Sequence, residues 1–532
     1  MAGGQTTPSR TPGKLTTTRQ TAHRAAAEVG TMIPDQPQNG TPWAALDNSY
    51  SRLPEQFYAR LAPTPVAAPR LVRLNRPLAE HLGLDPRALS RPEGVETLAG
   101  NRVPDSAEPL AMAYAGHQYG QFAPSLGDGR AILLGELIDK DGVRRDIHLK
   151  GAGQTPFSRM GDGRAVLGPM LREYVLGEAM HGLGIPTTRA LAAVASGEPV
   201  YRERIEPGAV LVRVAASHVR VGTFEYFARR GDWASVRTLA DYVIRRHYPE
   251  CLDAECPYQA FLAAAAIRQA ELIARWLLVG FIHGVMNTDN MAISGETIDY
   301  GPCAFMDSFN PRQVYSSIDR YGRYAYDQQP RIGHWNLLQL ANSLLPLLDD
   351  DADAAKGAAQ SALDGYIATF EQAYADGLRA KLGLADSRDG DDDLAMDLLG
   401  RMARNNADFT NTFRALSDLS AADPTGDTAA SGLFDDPAAF DTWARDWRAR
   451  LASDGRTDAE RRTAMRSVNP AYIPRNHRVQ QAIDAATDNG DLAPLDQLVA
   501  IVSRPYEDHR GLEDYRRPPR PDEAVERTFC GT

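Results

Sequence analysis

The sequence predicts an α+β fold with two lobes, a small mixed lobe followed by a large helical one. Strand-like runs surround one helix between residues 131 and 214, and from about Gly222 the pattern is helical to the end of the chain. The 532 residues, 43% of them apolar, suffice to bury one large core or two smaller ones. We therefore expect an N-terminal region and lobe at 41–222 and a helical lobe with a C-terminal extension at 223–532.

Residues 1–40 are set apart by their composition. They are rich in Thr, Gly, Pro and Gln, and Glu28 is their first acidic residue. Such a segment can be a disordered tail or a mitochondrial transit peptide. It can also result from a start codon assigned too far upstream, with Met32 as the true first residue; we call this the over-read start. We expect the tail or the over-read start, and a mitochondrial location only for a eukaryotic source.

The small lobe is predicted from strands that flank a helix. Ala131–Ile138 is an apolar run, a turn at 139–142 follows it, and Val143–Lys150 returns with strand-like alternation. A helix is expected at about Val166–His181, where apolar residues recur at helical spacing and share one face, and two glycines follow. Ala209–Val214 is a further strand.

The large lobe is predicted to be built around one buried helix. Tyr258–Val279 is long and mostly apolar, and a loop at 280–290 and two short strands around Gly295 follow it. Helices then continue towards the C-terminus. Three polar segments are expected to be loops between them: Asp349–Asp353, Asp391–Asp393 and Ala421–Asp436.

Charge and cysteine content argue against several classes of protein. The formal net charge of −11, without a dense basic patch, argues against nucleic acid as a partner. The chain contains no apolar run of about 18 residues, so we expect no membrane span. Four cysteines are too few for a disulfide scaffold, which favours a reducing cytoplasm. We expect a monomer in the bacterial cytoplasm.

One short motif occurs twice, as Gly-Asp-Gly-Arg at 127–130 and again at 161–164. Glycine permits close approach of the backbone to a phosphate, and arginine supplies a bidentate donor. Either copy alone is an ordinary turn. The two copies flank a strand that ends in Lys150, and together they favour a phosphate-binding site.

Lys150 has a candidate partner in Glu173, which lies 23 residues later on the predicted helix. In kinase-like folds a strand lysine held by a helix glutamate positions the phosphates of a nucleotide. Both residue types are also common as solvated charges, so the pair gains weight only from a further motif.

That motif is the segment HGVMNTDN at 283–290, followed by Asp-Tyr-Gly at 299–301. Asn290 and Asp299 offer the oxygen ligands that Mg2+ prefers, and Mn2+ accepts the same ligands, so the sequence leaves the choice between the two ions open.

The same segment departs from a kinase at one position. Alignment on His283 and Asn290 places Val285 where a kinase has its catalytic aspartate. Valine cannot accept a proton, so the site is either inactive or uses another base. Asp289 is the nearest candidate.

Long strings of the sequence resemble the selenoprotein O family, also called YdiU, which are protein adenylyltransferases with a pseudokinase fold. The resemblance runs from about Tyr50 to the C-terminus. It rests on GHQYGQFAPSLGDGRAILLGE (116–136), HLKGAGQTPFSRMGDGRAVL (148–167), HGVMNTDNM (283–291), DYGP (299–302), NPAYIPRN (469–476) and RPYED (504–508).

The resemblance implies a protein-kinase-like two-lobed fold, with extensions particular to the family, that holds ATP in a flipped pose. AMP would pass from ATP to Ser, Thr or Tyr hydroxyls of proteins, and pyrophosphate would leave. Asp289 would be the base, and Asn290 and Asp299 would bind Mg2+ or Mn2+. ATP contacts are implied at Gly127, Gly129, Arg130, Lys150, Asp162, Gly163, Arg213, Arg220 and Asp299, with Glu173 as the partner of Lys150.

Two cysteines bear on regulation. Cys530 lies where some members of the family carry selenocysteine, so this chain resembles the cysteine form. Some members pair that residue with a cysteine after the Asp-Phe-Gly-like motif, where this chain offers only Cys303. We expect Cys303 to be a buried core thiol rather than the partner in a regulatory disulfide.

Two other functions remain open. A phosphotransferase of the same fold would move the γ-phosphate, and Val285 counts against it. A non-catalytic nucleotide-binding pseudokinase would not need Lys150, Glu173 and Asp289 to be intact. The target proteins and the type of acceptor residue cannot be derived from the sequence.

Overall fold

The computed structural model of the protein describes Trp43 and residues 45–529. The expectations for residues 1–40 and for Cys530 lie outside the described residues. Residues 45–529 fall within one compact unit that combines antiparallel sheets with many helices, so the α+β class is confirmed. The lobe boundary between residues 222 and 223 stays a prediction.

Twelve strands occur among the described residues. They are β1 (Tyr58–Arg60), β2 (Arg70–Leu74), β3 (Leu110–Met112), β4 (Gly116–Gln118), β5 (Gln121–Ala123), β6 (Ala131–Ile138), β7 (Arg144–Lys150), β8 (Ala165–Val166), β9 (Arg189–Tyr201), β10 (Ile205–Ala215), β11 (Phe281–Ile282) and β12 (Ala304–Phe305).

Sixteen α-helices occur in the same part of the chain. They are α1 (Arg76–His81), α2 (Pro86–Leu89), α3 (Pro92–Ala99), α4 (Leu167–Gly182), α5 (Val221–Ala228), α6 (Trp233–His247), α7 (Pro257–Leu278), α8 (Gln329–Leu348), α9 (Ala352–Leu382), α10 (Asp391–Arg404), α11 (Phe409–Leu416), α12 (Thr428–Ser431), α13 (Pro437–Leu451), α14 (Asp458–Arg466), α15 (Asn476–Asp488) and α16 (Ala493–Val502).

The main sheet is antiparallel and has the strand order β1-β3-β6-β7-β10-β9-β2, with β8 paired to β10. Successive side chains along β10 point alternately into two hydrophobic cores, one on each face of the sheet. Val210 and Val212 face one side, where α1–α3 pack, while Leu211 faces α4, α15 and α16 on the other. Lys150, the last residue of β7, pairs with Leu211, so its side chain projects from a central strand.

Helix α4 is buried around nearly its whole circumference, although the sequence pattern predicts one apolar face. The sheet covers one side of the helix, and α15 and α16 cover another. Because Asn476, at the start of α15, lies 304 residues after Arg172 in the chain, local periodicity cannot reveal these two helices as partners of α4. The burial includes Arg172, Glu173 and Glu178, which therefore need polar partners within the fold.

The helical region is organised around α7, as the sequence predicts. Two local predictions are wrong, and two others hold only in part. Gly295 lies in a turn, and the short strands are instead β11 and β12, which pair with each other. The acidic segment at 349–353 is a loop only as far as Asp351, which caps α9, and the segment at 391–393 is the first turn of α10. Carboxylates near a helix N-terminus favour the helix. Within the predicted loop at 421–436 the short helix α12 forms. None of the helices in the described part of the chain combines the length and apolarity needed to cross a membrane.

Candidate active site

A cleft of about 750 Å3 lies beside the ends of the central strands. Residues 285–290 contribute to its wall; we call them the catalytic loop because they align with that loop of a kinase. The predicted site residues meet in this cleft, although they come from distant parts of the sequence. Those that line it are Gly127, Gly129, Arg130, Lys150, Asp162, Gly163, Arg213, Arg220, Asp289, Asn290 and Asp299. Glu173 does not line the cleft and instead binds two of the cations that do.

Lys150 and Arg213 project from neighbouring strands towards two carboxylates. The Lys150 Nζ donates to Glu173 Oε2 at 2.7 Å and lies 3.5 Å from Asp299 Oδ1. Arg213 donates to the same Oε2 at 3.0 Å and also donates to Asp299. The structure thus joins β7, β10, α4 and the loop of Asp299 in one ionic network.

The charges of this network are set by its members. Burial alone would raise the pKa of Glu173, but Arg213 and Lys150 lower it to about 2. The pKa of Asp299 lies well below its usual range, because Arg213, Lys150 and Arg220 overcome the effect of burial. Burial, followed by repulsion from Arg213, lowers the pKa of Lys150. Asp299 and Glu173 are therefore ionised at neutral pH.

Arg220 completes the cationic wall. Its guanidinium lies 3.4 Å from Asp299 Oδ2 and 3.7 Å from Asp128 Oδ1, and it stacks over the Tyr114 ring at 4.4 Å. Asp128 is fixed in turn by the backbone N–H of Met112 at 3.0 Å. The sequence motif contains Asp128, but neither its role as a partner of Arg220 nor the stacking of Tyr114 could be predicted from spacing.

The two glycine-rich turns make direct contact with the segment between them. A Cβ on Gly127, whose φ is +66°, would lie 2.3 Å from the Phe157 ring. A Cβ on Gly163, at φ +70°, would lie 2.1 Å from the Gly153 carbonyl carbon. Only glycine fits these positions, so the turns form a close-packed wall of backbone along the cleft.

Asp289 lies in a 3-10 turn at Thr288–Asn290 and is buried. Its Oδ2 accepts a hydrogen bond from Gln118 Nε2 at 3.2 Å, whereas its Oδ1 has no hydrogen-bond partner. Burial raises the pKa of Asp289 to about 6. The position of a kinase's catalytic aspartate is held by Val285, which also lines the cleft and has no group to accept a proton.

The hairpin of β4 and β5 holds the catalytic loop. The backbone N–H of His117 donates to Thr288 Oγ1 at 2.6 Å, and that of Tyr119 donates to Asn287 Oδ1 at 3.1 Å. Buried Glu225, on α5, accepts from Thr288 and lies 2.5 Å from His117 Nδ1. Gln118 and these contacts were not predicted from the sequence. There the residues of the hairpin stand out only as part of the string at 116–136 that resembles the family.

The two predicted metal ligands face the same cleft. Asn290 donates through Nδ2 to the Val285 carbonyl at 3.0 Å, which turns its Oδ1 into the available acceptor. Asp299 has a φ of +63°, a left-handed conformation that is uncommon for residues other than glycine and is often found at functional sites. Cys303, two residues after Gly301, is buried as expected.

Buried cations and ionised carboxylates that converge on an open cleft are suited to binding an anionic substrate and to stabilising charge during group transfer. A family model described as protein adenylyltransferase SelO matches residues 44–503 of this chain. The chain therefore belongs to the SelO family, and the resemblance found in its sequence is confirmed.

Curated relatives are similar to the chain along nearly their whole length. The protein nucleotidyltransferase YdiU of Bradyrhizobium diazoefficiens is 63% identical over 487 residues, which are 92% of this chain and 99% of the relative. Proteins of the same name from Rhizobium meliloti and from Rhodopseudomonas palustris strain BisB5 are 61% and 60% identical, with the same coverage.

Proposed function

We propose that this protein transfers AMP from ATP to hydroxyl groups of proteins and releases pyrophosphate. Within the site, the strongest support for the proposal comes from Asp289 and Val285. Asp289 is buried beside a cation-lined cleft with one carboxylate oxygen unpartnered, while Val285 occupies the position of a kinase base. The names of the family and of the close relatives support a nucleotidyl rather than a phosphoryl transfer.

We propose a protein-kinase-like architecture, with an N-terminal region and small lobe at 41–222 and a helical lobe with a C-terminal extension at 223–532. The pairing of Lys150 on β7 with Glu173 on α4 supports it, as does the position of Asp299 opposite both. In such an architecture the strand lysine meets nucleotide phosphates. The flipped pose of ATP would bring its α-phosphate, rather than its γ-phosphate, next to Asp289.

In the proposed reaction the acceptor oxygen attacks the α-phosphorus, the bond between the α-phosphorus and the bridging oxygen breaks, and pyrophosphate leaves with that oxygen. Asp289 takes the proton from the acceptor hydroxyl. Its raised pKa makes it a stronger base than an ordinary aspartate. Lys150, Arg213 and Arg220 neutralise the charge that grows on the leaving phosphates, and they are pre-positioned by their carboxylate partners.

We expect the phosphates of ATP to lie at the end of the cleft that is lined by Gly127, Gly129, Arg130, Asp162 and Gly163. Two of these glycines already bring backbone into close contact, so the wall can approach a phosphate without side chains in the way.

We further propose that Asn290 and Asp299 bind Mg2+ or Mn2+. Their chemistry fits, because an amide oxygen and an ionised carboxylate in one cleft are hard donors. When bound, the ion would offset part of the negative charge of the ATP phosphates. Its charge would add to three cations that already contact Asp299.

Two labelled forms of ATP test the proposal. With an α-32P label, protein should become radioactive in the wild type and in Asp441→Asn, a matched change at an exposed aspartate. Asp289→Asn should lower the rate by about 10²-fold or more, the range for loss of a general base. Label that reaches protein from γ-32P-ATP instead would establish a kinase and overturn the proposal.

A further inference from the structure

A turn beside the catalytic loop keeps two large apolar side chains and an arginine in solvent. Tyr321 is 98% exposed, and Ile318 is 59% exposed. Arg320 lies between them in the chain and is also exposed, and its side chain makes no ion pair or hydrogen bond with any described residue. Large apolar side chains beside an uncompensated charge are typical of a surface that binds a partner.

The backbone of this turn is held in place. The buried carboxylate of Asp319 accepts from the backbone N–H groups of Arg323 at 2.9 Å and Tyr324 at 2.8 Å. The Tyr324 hydroxyl donates to Asn287 Oδ1 at 2.6 Å. The turn is therefore tied to the loop that carries Asp289, and its backbone keeps a fixed position relative to the proposed base.

The turn at 318–321 forms one rim of the cleft, and residues 159–160 form a second rim. The second rim also presents an exposed apolar side chain next to an arginine. Met160 is 99% exposed and, together with Ile318, lines the cleft. Arg159 precedes it, is exposed, and has no partner among the described residues. The nearby carboxylate of Asp162 is already paired with Arg202 at 2.8 Å, so it does not neutralise Arg159.

We propose that these two rims, 159–160 and 318–321, dock the protein substrate and select acceptor hydroxyls that are flanked by an acidic residue and a large apolar residue. The inference rests on the proposed function, since it names the class of substrate for the same cleft. The arginines without carboxylate partners offer charge complementarity to an acidic segment, and the exposed apolar side chains would be buried by an apolar neighbour of the acceptor.

Peptide binding tests the proposal without relying on turnover. Fluorescein-labelled peptides would carry Ser, Thr or Tyr at the centre, flanked by Glu and Leu, by Lys and Leu, or by Glu and Gly. Fluorescence anisotropy with the full-length protein should give a Kd about tenfold lower for the Glu and Leu set than for either other set. Equal affinity for all three sets would overturn the proposal.

Two variants test whether the turn at 318–321 is responsible for the preference among the flanking residues of the peptide. Arg320→Glu should reverse the charge preference towards the Lys set, and Tyr321→Ser should reduce the preference for Leu over Gly. Matched controls are Arg445→Glu and Met396→Ser, exposed positions on α13 and α10 that do not line the cleft. Both controls should keep the wild-type pattern. An unchanged charge preference in Arg320→Glu would contradict the assignment.

The same peptides separate this proposal from the function on which it rests. If α-32P-ATP labels the peptides but flanking residues make no difference to binding or rate, the docking surface fails and the function stands. If the peptides bind with the expected preference but never receive the α-phosphate, the function fails and the docking surface stands.

Discussion

Lys150 and Lys140 differ at the scale of the single residue, although both belong to the hairpin of β6 and β7. Lys150 is buried and held by Glu173, whereas Lys140 is exposed in the hairpin turn. Lys150→Ala should lower kcat/KM for AMP transfer about 10²-fold, which corresponds to about 2.7 kcal/mol of transition-state stabilisation. Lys140→Ala should change it less than about twofold. Equal losses in the two variants would show that Lys150 does not act on the nucleotide.

Lys381 is a buried cation outside the cleft. Burial lowers its pKa to about 7, and its ammonium lies 4.2 Å from the Phe413 ring and 5.5 Å from the Phe409 ring. The rings offset part of the cost of burying the charge. In the unfolded chain the pKa is about 10.4. Folding therefore opposes protonation of Lys381, and the resulting destabilisation is greatest below pH 7.

Lys381→Met should raise the melting temperature, and the gain should depend on pH. Between about pH 7 and pH 10 the unfolded state binds more protons at this position than the folded state, so the stability of the wild type rises with pH. The difference between Lys381→Met and the wild type should therefore be largest near pH 6 and shrink towards pH 10. A gain that is constant across this range would contradict the lowered pKa.

Within the site, the residues with distinctive chemistry were the easiest to predict from the sequence. Lys150, Asp289 and Asp299 were identifiable because their types and spacing match the chemistry of a nucleotide site. Gln118 was not, because a glutamine has no distinctive chemistry until the fold places its amide 3.2 Å from Asp289.

At the scale of elements, the hairpin of β4 and β5 depends on Gly116 to accommodate the catalytic loop. A Cβ at this position would lie 2.4 Å from Asp289 Oδ1, well inside van der Waals contact. Gly116→Ala should displace the carboxylate and lower AMP transfer on the order of 10²-fold, since small misplacement of a catalytic group has effects of this size.

The control for Gly116→Ala is Gly357→Ala on α9, where a Cβ would meet nothing within 4 Å. Because alanine favours a helix over glycine, this control should raise stability slightly and leave the rate unchanged. Initial rates with α-32P-ATP and melting curves measure both effects. Full activity in a folded Gly116→Ala variant would show that Asp289 is not the base.

Elements with strong local patterns were predicted well, and those that depend on distant partners were not. The strands around Lys150 and the long helix α7 follow from periodicity. Strand β9 was missed because its small residues between Ala190 and Ala195 form no alternating pattern, yet both faces of the sheet bury them. The full burial of α4 depends in the same way on the distant α15 and α16.

At the scale of the whole molecule, Arg475 connects three distant segments. Its side chain is 1% exposed and contacts Asp307 at 2.5 Å and Asp408 at 2.7 Å. The next residue, Asn476, accepts from Arg172 on α4 at 2.9 Å. The C-terminal extension thereby joins the helix of Glu173 to the segment after Asp299, a link that no local pattern predicts.

Arg475→Met should destabilise the protein strongly. It removes the cation and leaves Asp307 and Asp408 facing each other without a positive partner, and breaking a buried pair in this way costs about 3–5 kcal/mol. The matched control is Arg504→Met, because Arg504 pairs with Glu507 at 3.1 Å while both side chains are 58% exposed. Loss of an exposed pair costs about 1 kcal/mol or less. Melting curves at pH 7 should therefore separate the two variants by several degrees, and a coincident pair of curves would show that Arg475 does not hold the three segments together.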